Sequence, residues 1–181
     1  MCTWAKRQTR RIGVIVLLTG FLASVAMAGS GFRGPFGFGS APSPEEVAAV
    51  DIAVGPDGAG LPPGQGTVAE GAELYQAQCA KCHGATGTEG PRPRLVGGAL
   101  PVKTIGSYWP HATTLFDYIR RAMPIPNPGA LSDSEVYALT AWLLHQNQII
   151  AADAVMHAET LPQVQMPNRD GFIGDPRPDV R

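Results

Sequence analysis

Apolar positions recur with a helical period in only part of the chain, between about residues 67 and 150. Thr67-Val-Ala-Glu70 reads as a capping box, in which the threonine oxygen and the glutamate carboxylate each take up a free backbone N–H. The helix it opens, "AEGAELYQAQCAKC", runs directly into a pair of cysteines. A second helix is predicted in "TTLFDYIRRAM", with Leu115, Tyr118, Ile119 and Ala122 on one face and Pro124 as its stop. The third has the clearest signals. Ser132-Asp-Ser-Glu135 is another capping box, Leu131 and Val136 suit a hydrophobic staple, and Val136, Leu139, Thr140 and Leu143 fall at i, i+3, i+4 and i+7.

Outside this window the period fades. Residues 29–66 are dense in Gly and Pro and read as an extended arm, with one short helical turn over Glu45–Val50 started by Ser43-Pro44. Residues 151–181 read as a Pro-rich tail with little power to bury apolar surface of its own. The chain has 181 residues, with 22 glycines, 17 prolines and only 16% charged residues, which fits one domain of short helices and long irregular segments. The expected organisation is therefore an arm over 29–66, a helical domain over 67–150 and a tail over 151–181.

The first 28 residues have a separate logic. "MCTWAKRQTRR" is cationic, "IGVIVLLTGFLASV" is apolar, and Ala26 and Ala28 form a small-residue cleavage pattern. The apolar run is short for a membrane span. The expectation is a signal peptide cleaved after Ala28, a periplasmic destination and no membrane span afterwards. Cleavage would remove Lys6, Arg7, Arg10 and Arg11 and no acid, taking the formal net charge from −1 to −5. No Lys/Arg run follows, so no nucleic-acid partner is expected. Cys2 would leave with the signal, so Cys79 and Cys82 would be the remaining thiols.

Those thiols stand in "CAKCHG", residues 79–84. C-x-x-C-H is the attachment pattern of c-type haem: two thiols one helical turn apart meet the two vinyl groups, and the next imidazole sits under the iron. Cys79 and Cys82 are the candidate covalent ligands and His83 the proximal iron ligand. Three other readings compete. A disulfide leaves His83 unexplained, a thioredoxin-like redox pair expects a βαβ context, and a structural zinc site lacks a second cysteine pair. For the sixth position, Met123 ends the second helix and precedes a proline. Met156, Met166, His111, His145 and His157 are the other candidates, and an open site is the remaining one.

Residues 67–145 resemble a class I cytochrome c domain. The resemblance rests on the helix before C-x-x-C-H, on Pro93-Arg94-Leu95 as the family's Pro-x-Leu, on the Met123-Pro124 pair and on the last helix. It implies an all-α fold of three to four short helices around one covalently bound haem c, flanked by the two arms. It further implies that the Pro93 carbonyl accepts the proximal imidazole N–H, that Leu95 packs on the haem, and that Gly71 and Tyr75 cross Trp142. A narrower resemblance covers "VDIAVGPDGAGLPPGQGTVAEG", "TIGSYWPHATTLFDYIRRAMP" and "QMPNRDGFIGDPRPDV". These look like the cytochrome subunits of bacterial sulfite or sulfur dehydrogenases. That implies an electron-transfer protein and not an enzyme in itself, a molybdenum-cofactor dehydrogenase subunit as electron donor, and a cytochrome c or terminal oxidase downstream. A free periplasmic carrier, or a haem enzyme with a weak or open sixth site, are the other readings. The arms, with Arg169, Asp170 and Phe172, are expected to bind the partner.

Overall fold

Short polar side chains start four of the helices, Thr104 among them. Ser43, Thr67 and Ser132 each accept the backbone N–H three residues on, and Glu46, Glu70 and Glu135 reach back to the cap N–H. Each such cap is worth about 1 kcal/mol, enough to fix where a marginal helix begins. The computed structural model describes residues 38–177; residues 1–28, where a signal peptide is expected, 29–37 and 178–181 lie outside them. The described helices are α1 (Pro44–Val50), α2 (Val68–Gln78), α3 (Ala80–His83), α4 (Ile105–Tyr108), α5 (Ala112–Ala122) and α6 (Asp133–Gln146). Strands β1 (Gln65–Thr67) and β2 (Val155–His157) form an antiparallel pair with Gly66 opposite Met156, and a 3₁₀ turn follows at Leu161–Gln163. This is an α-rich fold with little strand.

The chain divides after Val50. The first unit contains α1, which buries none of its residues. The second, from Asp51 onward, holds the core. At its centre α6 buries every residue from Val136 to Leu144, packed by α2, α5 and the β1–β2 pair. Thr140 is tolerated there because its hydroxyl donates to the Val136 carbonyl at 2.7 Å. The crossing of α2 and α6 depends on Gly71: a Cβ there would lie 2.0 Å from the Ala138 carbonyl oxygen. Beside it the rings of Tyr75 and Trp142 stack with centroids 3.8 Å apart, a contact worth about 0.5–1.5 kcal/mol beyond its buried area.

Three expectations change. The buried face of α5 is Ala112, Leu115, Phe116 and Ile119, while Tyr118 is 47% exposed and lies edge-on to Trp109. The true stripe starts three residues earlier than the predicted one, and Phe116 takes the inward position against Tyr137. The second change concerns residues 51–66, which are not a free arm. Asp117 accepts the Val54 N–H at 3.1 Å, Arg120 donates to the Ile52 carbonyl at 3.2 Å, and the Tyr137 hydroxyl donates to the Pro62 carbonyl at 3.0 Å. Asp117 and Arg120 are themselves paired, with Arg121 and Asp133 respectively.

The third change is the tail. β2 pairs with β1, and Met156, Leu161 and Met166 are buried in the same core as α5 and α6. Pro162 packs where a side chain on Gly58 would stand, so the two flanks also touch each other. Further on, Asn168 donates to the Tyr108 carbonyl at 2.7 Å and Phe172 meets the Tyr108 ring edge-on. A segment without helical period can still bury a few well-placed side chains against a surface made elsewhere, and these residues do so. Arg169 and Asp170 remain exposed.

Candidate haem site

The cysteine motif sits at the junction of two helices. Cys79 caps α2 and begins α3; its carbonyl accepts the N–H of both Cys82 and His83 at 3.0 Å. This single turn places the two thiols on consecutive turns of backbone, with His83 immediately after. Gly84, at φ 82°, then reverses the chain. Both cysteines are free thiols and half-buried. Burial pushes the Cys79 thiol up to about 11, with Cys82 adding to the shift, so Cys79 is protonated at neutral pH. A thiol poised for redox exchange is shifted the other way.

His83 Nδ1 lies 3.0 Å from the Pro93 carbonyl oxygen. That oxygen can only accept, so Nδ1 must carry the proton. The lone pair is therefore on Nε2, which is left free to ligate. The loop that brings Pro93 back is tied at several points. Arg92 N–H donates to the Cys82 carbonyl at 3.0 Å, and Leu95 and Val96 both donate to the Gly87 carbonyl, at 2.8 and 3.2 Å. The buried Tyr75 hydroxyl donates to the Gly84 carbonyl at 2.9 Å; burial first, then Cys79 and Glu89, pushes its ionisation up to about 12, so it stays a donor. Glu89 gathers Thr86 and Thr88 around its carboxylate, and those hydrogen bonds hold it down at about 2.

Leu95 and Met123 are half-buried and pack on the one hydrophobic core, as do Cys79 and Trp109. Met123 is the C-cap of α5, in extended backbone. The other sulfur candidates differ: Met156 and Met166 are buried core side chains. Of the histidines, His145 Nδ1 is 3.1 Å from the Ile150 carbonyl, and His157 Nδ1 accepts the Glu159 N–H at 3.3 Å. His111 is the N-cap of α5, and its Nδ1 is buried without a partner, like Thr113 Oγ1 two residues on. Among the described residues no three His, Cys, Asp or Glu side chains gather as a bare metal ion would need.

The donor set fits a haem. Two unpaired thiols can add to the vinyl groups of a porphyrin, and an imidazole with a free Nε2 and a half-buried thioether are ligands suited to its iron. Sequence reading missed Asn147, the C-cap of α6, whose amide holds the Leu95–Gly97 loop. Its one visible signal was an asparagine at the end of a helix, which marks a cap and not a loop partner.

The family model described as cytochrome c oxidase, cbb3-type, subunit III matches residues 66–143. Among curated proteins none matches. Among solved structures, the crystal structure of the sulfane dehydrogenase SoxCD from Paracoccus pantotrophus has a chain 44% identical to this one, with a TM-score of 0.71. The match covers 78% of this chain and 73% of that one. The likeness is thus carried by sequence as well as by fold over most of both chains, and the chain belongs to the class I c-type cytochromes, haem proteins of electron transfer.

Proposed function

We propose that this chain is the electron-accepting cytochrome subunit of a sulfur-compound dehydrogenase. Cys79 and Cys82 would hold one haem c through thioethers, and His83 Nε2 and Met123 would be the ligands to its iron. When bound, the group supplies a one-electron Fe(III)/Fe(II) couple. The chain's own residues set how easily that couple works. Met123 contributes a soft sulfur that favours Fe(II) and raises the potential. Pro93 accepts from His83 Nδ1 and makes the imidazole a stronger donor. Leu95, half-buried against the core, would pack on the haem and keep water away. No side chain of the site acts as nucleophile or general base.

The observation that carries this reading is His83, pinned through Nδ1 to Pro93 one residue after two free thiols. The similarity to a chain of a sulfane dehydrogenase supports the assignment to a complex. The electron donor is a molybdenum-cofactor dehydrogenase subunit, the acceptor a cytochrome c or terminal oxidase, and the place of work the periplasm, after cleavage at Ala28. Leu100 and Ile125, which follow Leu95 and Met123 closely in sequence, are large exposed apolar side chains, at 57% and 59%.

The test has two parts. The exported protein is denatured and extracted with acidified organic solvent; one haem should stay with the polypeptide. Met123→Ala should then abolish the far-red band of Fe–S(Met) ligation and lower the potential, while Met156→Ala and Met166→Ala keep the band. Haem lost to the solvent, or an unchanged Met123→Ala spectrum, defeats the assignment.

A further inference from the structure

The acceptor for His83 is held in place from the far end of the domain. Pro93 is exposed and has no N–H, so apart from the φ its ring fixes it makes no hydrogen bond of its own to aim its carbonyl. The loop around it must do so. Beyond Leu95 that loop is tied to Asn147, some fifty residues later. Gly97 N–H donates to Asn147 Oδ1 at 2.9 Å, and Asn147 Nδ2 donates to the Leu95 carbonyl at 3.3 Å and to the Leu143 carbonyl at 2.8 Å. A flipped amide would set donor against donor and acceptor against acceptor at all three, so the orientation is fixed. Leu143 is buried in α6, so the clamp is anchored in the core.

A second element is shaped around the same side chain. A Cβ on Gly106, in α4, would stand 2.6 Å from Asn147 Oδ1 and 3.0 Å from its Cβ. α4 is itself tied to the loop, through Ile105 N–H on the Leu95 carbonyl at 3.2 Å and the Thr104 hydroxyl on the Gly97 carbonyl at 2.6 Å. Loop, α4 and the end of α6 therefore converge on one amide.

We propose that Asn147 is a positioning residue for the proximal histidine: it holds the Leu95–Gly97 loop so that the Pro93 carbonyl stays on His83 Nδ1. This rests on His83 being the haem ligand. The amide acts through the loop, its hydrogen-bond partners being Gly97, Leu95 and Leu143 and not His83.

The experiment follows solvent exchange of the His83 Nδ1 proton by NMR in the reduced, haem-loaded protein. Wild-type His83 ring resonances must first show the displacement that haem ligation imposes; ordinary imidazole positions would sink the ligand reading and the proposal with it. Asn147→Ala removes both bonds to the loop and should speed Nδ1–H exchange about tenfold or more, each bond carrying ordinary net strength. The α6 amides should quicken far less. Asn147→Asp keeps the acceptor for Gly97 and should restore part of the protection. Gly106→Ala should displace the amide and reproduce the effect without touching residue 147, and it carries the test if Asn147→Ala does not fold. In the double variant the two effects should not add, because truncation removes the oxygen that the new Cβ meets. Unchanged exchange at His83, acceleration only in step with the α6 amides, or simple additivity would each overturn the clamp.

Discussion

The two loops that carry the candidate iron ligands are built on different physics. The proximal loop, residues 84–97, is largely exposed but densely hydrogen-bonded: Gly84, Gly87, Leu95 and Gly97 each hold or are held by a partner eight or more residues away. The segment after Met123 is exposed from Ile125 to Ala130, with short-range turns such as Asn127 N–H on the Pro124 carbonyl at 2.9 Å. Met123 is placed mainly by being the C-cap of α5, whose inner face is buried. Polar bonds aim a ring nitrogen, which needs a direction. A flexible thioether needs only to be brought to the right place, and a helix end suffices.

The contrast is broken most severely through the methionines. Met166→Ala should cost about 2–5 kcal/mol of stability, because it empties a buried core position. It should leave the ligation band intact. Met123→Ala should cost less stability, since the side chain is half-buried, and destroy the band. Thermal melts and ferric spectra of the two variants separate the roles; equal spectra would erase the distinction. Deleting 160–181 should strip Leu161 as well as Met166 from the core, so loss of stability is expected, and not the intact haem domain that a free arm would leave.

Glycines sharpen it further. A Cβ on Gly90 would lie 2.3 Å from the Cys82 carbonyl oxygen and 2.4 Å from the His83 carbonyl carbon, both rigid backbone. Gly90→Ala should cost about 1–3 kcal/mol by overpacking and lower haem incorporation. Gly129, beyond Met123, has φ 76° and open space around its Cβ position. Gly129→Ala should cost about 1–2 kcal/mol from backbone conformation alone and leave haem content at the wild-type level. Denaturation midpoints and haem-to-protein ratios decide the matter, and equal haem loss in both would refute the contrast.

The smallest effect is with pH. Glu89 is held at about 2 from an ordinary 4.5 by hydrogen bonds from Thr86 and Thr88. Its carboxylate therefore favours the folded loop above about pH 4.5, and that contribution is lost as pH falls from there toward 2. Residues 124–131 contain no acid. Acid should loosen the proximal loop before the distal one, and Glu89→Gln should remove the dependence. Amide exchange at Gly87 and Ala130 across this window reports the order; simultaneous loosening would contradict it.

What sequence reading reached was of short range. Thr67 and Ser132 cap their helices through residues three positions away, and the C-x-x-C-H turn closes within five residues, so spacing alone encodes them. The short α4 was missed although Thr104 and Ser107 form a capping box there, because a four-residue helix has no period to read. Along α6 the stripe at Val136, Leu139, Thr140 and Leu143 was legible, but burial on every side was not. A period reports one apolar face, and what covers the others depends on β1, β2 and α5.

The sequence by itself determined the local chemistry: two thiols and an imidazole on one turn, a methionine at a helix end, and where the main helices begin. Only the tertiary structure decided which flanks join the core and what holds the proximal loop. Met166 and Met123 are the same residue type beside the same kind of proline, and one is buried while the other ends a helix at the core's edge. Asn147 and Gly97 lie 50 positions apart. Contacts of that span exist only once the helices have closed, and the free energy that selects them comes from complementary surfaces no local pattern contains.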